Sequence, residues 1–137
     1  MNPRDFLDVA NRLHPSGYEA DRRTSISRSY YAAYNVLVQT LAAKGVRFER
    51  NPKDHGRLVH YLAHSGDLRM QTIAGFLRTL RVRRGDADYD MRTFIKAWDS
   101  QLSYFAANNA ITQFDAISGP DLDHIASVIS ALSPYVS

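Results

Sequence analysis

The chain has 137 residues, 45% of them hydrophobic and 23% charged, with a formal net charge of +3. That is the make-up of an ordinary globular domain long enough to bury a core. The lack of cysteine excludes disulfides and thiolate metal sites and fits a reducing cytoplasm, and no run approaches the roughly 18 apolar residues of a membrane span.

The first element opens on Asn2-Pro3 with Asp5 behind it, a capping residue, a proline at the first helical position and an acid in the first turn. Phe6, Ala10 and Leu13 give it an apolar face, and Pro15-Ser16-Gly17 ends it. A second helix is predicted from about Tyr18 to Lys44, stopping at Gly45. Asn51-Pro52 with Asp54 repeats the start signal for a third, which carries Leu58, Val59 and Leu62 and stops at Ser65-Gly66. The fourth places Ile73, Leu77 and Leu80 inward, and Gly85 is expected to break it. A long helix from about Thr93 carries Phe94, Trp98, Leu102 and Phe105. Gly119-Pro120 then precedes a last short helix with Leu122, Ile125, Ile129 and Leu132.

No segment shows sustained strand alternation. The expectation is one all-α domain over residues 1–137, a four- to five-helix up-and-down bundle with a short extra C-terminal helix.

Two of these helices carry more than a core face. In the second, Ile26, Tyr30, Ala33, Leu37 and Leu41 form a regular core stripe. A second face carries Tyr31, Val38 and Ala42, with Arg28 and Asn35 beside it. A helix apolar on two sides is either central in its own bundle or pressed against another subunit. Tyr31, Asn35 and Val38 are therefore expected at a homodimer interface. In the fourth, Leu77, Leu80, Arg81 and Arg84 share a face that begins apolar and ends cationic, followed by Asp86, Asp88, Tyr89 and Asp90. Arginines also suit a helix C-terminus, where they meet the negative end of the backbone dipole. The cluster thus reads either as a cap paired with the aspartates or as the wall of an anion cleft. A basic balance, with a pI of about 9.3, is compatible with a nucleic-acid partner.

The helix SRSYYAAYNVL (Ser27–Leu37), together with Leu80-Arg81, Arg84 and Ala87-Asp88-Tyr89-Asp90 in that order, resembles the HEPN superfamily, in its branch of small prokaryotic proteins. The resemblance covers roughly Phe6 to Phe105. It implies a dimer whose helices build one shared polar cleft, and an RNA-directed role in a toxin–antitoxin or defence system, often beside a nucleotidyltransferase-type partner. It also implies metal-independent ribonuclease chemistry, in which arginine holds the scissile phosphate and histidine moves the 2′-hydroxyl proton.

This sequence departs from that pattern, because no histidine follows Arg81, Arg83 or Arg84; Asp88 and Tyr89 occupy the comparable positions. The expected phosphate- or nucleic-acid-binding residues are therefore Arg28, Arg81, Arg84 and Tyr89, with Arg84 and Asp88 as the catalytic pair if there is one. Binding of RNA or a nucleotide, with little or no cleavage, ranks ahead of an active endoribonuclease, and a protein-interaction module is the further alternative. Tyr89 also has a second reading, as a target of nucleotide transfer. RNPKDH (Arg50–His55) has arginine-to-histidine spacing but crosses the Pro52 helix start, in a different element. His60 and His64 are four apart with no carboxylate to complete a metal site, Asp54 being read as a first-turn acid, so no metal or other cofactor is expected.

Overall fold

The structure, a computed structural model, describes residues 1–132. Its regular elements are helices: α1 (Arg4–Leu13), α2 (Glu19–Ala43), α3 (Asp54–Ala63), α4 (Leu68–Tyr89), α5 (Ala97–Asp115) and α6 (Gly119–Leu132). No strand occurs among the described residues, and none of these helices is long and apolar enough to cross a membrane. The protein is an all-α bundle.

Local chemistry sets the element ends. Asn2 Oδ1 accepts from the Arg4 N–H at 3.0 Å in the turn that leads into α1. Asp67 caps α4, its carboxylate accepting from the Arg69 and Met70 N–H groups. Gly45 and Gly66 take φ of +91° and +75° after α2 and α3, a backbone region that glycine enters without Cβ strain.

The long α2 lies at the centre, packed against α1, α4 and α5, while α3 packs on α4 and α6. Ile26, Tyr30, Ala33, Leu37 and Leu41 are all buried, as their spacing requires. Tyr31 and Val38 pack partly buried against the same core, and Asn35 is half-buried. Much of the second face of α2 is thus covered within its own chain, and only part of it remains as surface.

Two sequence expectations need correction. Gly85 does not break α4, which continues to Tyr89. A helical glycine costs only about 1 kcal/mol relative to alanine, and Arg23 of α2 holds the far end. Its guanidinium donates to the carbonyls of Asp86 (3.1 Å), Ala87 (2.9 Å) and Asp90 (2.9 Å), satisfying the carbonyls that a helix C-terminus leaves free.

The fifth helix begins at Ala97 rather than near Thr93, because the preceding segment is tied to α2. Arg22 Nε donates to the Ile95 carbonyl at 2.9 Å, the Ile95 N–H donates to Glu19 at 3.0 Å, and Arg23 donates to the Thr93 carbonyl. Phe94, Trp98 and Phe105 then face outward, Trp98 being 65% exposed. The buried face of α5 is instead Ser100, Ser103, Ala107, Ala110, Ile111 and Phe114. These mostly small residues let α5 lie close against α2.

Candidate functional site

The last three turns of α4 carry Arg81, Arg84, Asp88 and Tyr89, and run alongside the N-terminal half of α2. Arg84 is the centre of the group, with its side chain 14% exposed. Its guanidinium lies 5.3 Å from the ring of Tyr31, 5.6 Å from Tyr30 and 5.7 Å from Tyr89. Such cation–aromatic contacts hold a charge in place without neutralising it. The Asp88 carboxylate is 3.8 Å away, the Tyr89 hydroxyl 3.4 Å, and the buried Arg84 Nε has no partner among the described residues. Arg28 is held in the same manner, 5.0 Å over Phe6 and 5.5 Å over Tyr31. Tyr31 therefore links the two cations.

A histidine does reach this cluster, from another helix. His55, in the first turn of α3, stacks on Tyr34 with ring centroids 4.3 Å apart, and its Nδ1 shares a 2.5 Å hydrogen bond with the Tyr30 hydroxyl. Arg81 crosses the same turn of α3, where a Cβ placed on Gly56 would meet its Nη1 at 3.7 Å. Burial, and then the charges of Arg81 and Arg84, push His55 below the usual imidazole range, with Asp54 opposing them weakly. His55 is therefore neutral at pH 7. Burial also holds the Tyr30 phenol well above its ordinary value, so Tyr30 keeps its proton.

The helix start that positions His55 is pinned by Asp54. Its carboxylate accepts from the backbone N–H of Glu49 (3.0 Å), Arg50 (2.7 Å) and Asn51 (3.3 Å), and from Arg57 at 2.6 Å. Burial alone would raise its pKa, but these donors outweigh that and lower it. Arg50 is held at φ +58°, in the left-handed region, with its N–H on this carboxylate. Asp54 is thus a buried clamp on the turn rather than only a first-turn acid. Arg50 is exposed at that turn, and the partners of His55 are the α2 tyrosines and the α4 arginines.

Two grooves flank the cluster. One, of about 440 Å³, lies between the N-terminal part of α2 and the end of α4, with Ser27, Arg28 and Asp88 on its wall. The other, of about 400 Å³, lies between α3 and α4 and is lined by Gly56, Val59, His60, Arg78, Arg81 and Val82. Arg78 thus shares a groove with Arg81.

Of the residues singled out in the sequence, Arg28 and Arg84 share the Tyr31 ring, Asp88 and Tyr89 lie beside Arg84, and Arg81 stands apart, against Gly56 and near His55. The structure adds His55, Tyr30, Tyr34 and Ser27, which the motif reading did not single out as site residues. His60 and His64 stack at 5.9 Å, and no group of three or more metal-ligating side chains occurs among the described residues. Chemically, the arrangement supplies cations without strong partners, a neutral imidazole beside them and exposed aromatic surface. Comparison with protein-family models, characterised proteins and solved structures returned no match.

Proposed function

We propose that this protein is a HEPN-type helical protein that binds RNA phosphates at Arg81 and Arg84 and carries there the acid–base group for metal-independent strand cleavage. The observation that carries this reading is His55, seated from α3 against Tyr30 and Tyr34 and within the field of both arginines. Read along α4 alone, the site lacks a base. In this reading His55 supplies one from α3.

In the tautomer whose Nδ1–H donates to the Tyr30 oxygen, the Nε2 lone pair accepts the 2′-hydroxyl proton. The 2′-oxygen then attacks phosphorus, the bond to the 5′-oxygen breaks, and that oxygen takes a proton from water. Arg81 and Arg84 hold the non-bridging oxygens as charge develops on them. This places the base at His55 and leaves Asp88 as a hydrogen-bond acceptor. A homodimer meeting through Tyr31, Asn35 and Val38 would join two such clefts, and a nucleotidyltransferase-type protein is the partner class to seek beside it.

The test is labelled single-stranded RNA incubated with purified protein in EDTA. Cleavage giving 2′,3′-cyclic phosphate ends, abolished by His55→Gln and by Arg84→Ala, is expected, with RNA binding kept in His55→Gln. Cleavage that survives both substitutions, or RNA binding indifferent to Arg84, would reject this site. A second reading, a protein-interaction module, is favoured by one observation: the exposed Phe94, Trp98 and Phe105.

A further inference from the structure

The groove between α2 and the end of α4 adjoins the cluster without belonging to its phosphate chemistry. Its apolar walls are Ala20, Ala87 and Met91, and its polar ones include Ser27, Arg28 and Asp88. A volume of about 440 Å³ falls within the range of ligand pockets and is ample for a nucleobase.

Most of its polar atoms are already engaged. Arg23 spends its donors on the α4 and loop carbonyls and on Glu19, and the Thr24 hydroxyl donates to the Ala20 carbonyl. The Ser27 hydroxyl donates to Asp88 Oδ2 at 3.2 Å, and the nearest Arg84 nitrogen approaches that same oxygen. Asp88 Oδ1 has no hydrogen-bond or ion partner among the described residues, and the side chain is 29% exposed. Among the described residues Arg28 pairs with no carboxylate; it rests over two aromatic rings and its one hydrogen bond is to Ser27 Oγ, at 3.5 Å. The groove therefore offers an oriented anionic acceptor, the same carboxylate that Arg84 approaches, beside a cationic donor.

We propose that this groove is a nucleobase subsite selective for guanine, with Asp88 the specificity-determining residue. The proposal rests on the phosphate reading above, since Arg84 joins the two sites. Guanine presents two neighbouring donors, N1–H and the 2-amino group, next to the O6 acceptor. A carboxylate takes both donors, and Arg28 meets O6. Adenine, cytosine and uracil each turn at least one acceptor toward the carboxylate when they offer it a donor on that edge. Ser27 is a positioning residue that fixes the carboxylate rotamer.

The experiment measures binding of GMP, AMP, CMP, UMP and ribose 5-phosphate to the full chain by calorimetry. GMP is expected to bind at least about tenfold more tightly than UMP, the scale of one well-made carboxylate–base pair. Asp88→Asn should bring GMP down to the level of UMP and leave ribose 5-phosphate bound as before or more tightly, while Ser27→Ala should reduce the preference several-fold. Equal affinity for the four nucleotides, or a guanine preference that survives Asp88→Asn, would overturn the subsite and leave the phosphate reading standing. Failure of every nucleotide and of ribose 5-phosphate to bind would overturn both.

Discussion

Nδ1 of His55 and the hydroxyl of Tyr30 meet at 2.5 Å, joining the first turn of α3 to the middle of α2. The contact fixes one imidazole nitrogen and leaves the other to act. It also ties the site to the pH dependence of folding. The folded-state pKa of His55 is lowered, by burial first and then by Arg81 and Arg84. Between that value and the unfolded value near ~6.5, the unfolded chain binds the proton and the folded chain does not. This group therefore makes stability rise with pH across that window, and acidification from pH 7 erodes it. Urea unfolding at pH 7.5 and 5.5 should show a smaller loss of stability in His55→Gln than in the unaltered protein. An identical loss in both would mean that His55 is not held neutral by its surroundings.

The core was legible where one face repeats over several turns. Ile26 to Leu41 could only pack inward, because no other face of α2 is apolar for so long. The same periodicity did not orient Phe94, Trp98 and Phe105, which lie outward. Spacing identifies a shared face but not which side of the helix the bundle covers. There the bonds from Glu19, Arg22 and Arg23 to the preceding segment decide where α5 begins, and its small residues face α2. Gly85 misled for a related reason: its cost is small beside the Arg23 contacts that hold the last turn of α4. Arg84 and Tyr89 were found because they lie on one helix. His55 was missed as their partner because it reaches them through space, and a motif read along α4 contains no sign of it. The clue present in the chain was the Asn51-Pro52 start signal, which places His55 in a first helical turn.

Anion binding should follow the grooves rather than net charge. Among the described residues Arg81 has no carboxylate partner and Arg84 only Asp88, at a long 3.8 Å, so a phosphate would gain from both. Sequence position alone would put Arg78 on the solvent side and make it a neutral control, yet it lines the α3–α4 groove with Arg81. Arg84→Ala and Arg81→Ala should each weaken phosphate or nucleotide binding several-fold, and Arg78→Ala less but measurably. Arg12→Ala, exposed on α1, should leave it unchanged. Titrations at two salt concentrations should show affinity falling as salt rises. Equal losses in all four variants would reduce the effect to overall charge.

Asp54 is a costly residue to remove, because four donors converge on its buried carboxylate. Asp54→Ala would strip three backbone N–H groups of their acceptor and leave Arg57, itself buried, without its 2.6 Å partner. Removing one member of a buried pair costs about 3–5 kcal/mol. Chemical denaturation should report a loss of that order, along with displacement of His55 visible as altered imidazole resonances. A loss under about 1 kcal/mol, the scale of an exposed ion pair, would mean that the clamp is solvated.

Assembly is the remaining question that one residue can test. Tyr31, Asn35 and Val38 are half-buried in the monomer, so a partner at this face would cover what α1, α4 and α5 leave open. Such a dimer would also bring the two Arg84 clusters together, since Tyr31 touches both Arg28 and Arg84. The competing surface is the outward row of Phe94, Trp98 and Phe105, which is more exposed and lies on α5 and the segment before it. Light scattering at micromolar concentration should give a dimer mass for the unaltered protein. Val38→Glu should convert it to monomer, because an unpaired charge in a desolvated contact costs several kcal/mol. Trp98→Glu should leave the dimer intact. The reverse pattern would move the interface to α5 and leave each Arg84 cleft to act within a single chain, and a clean monomer throughout would dispense with a composite cleft altogether.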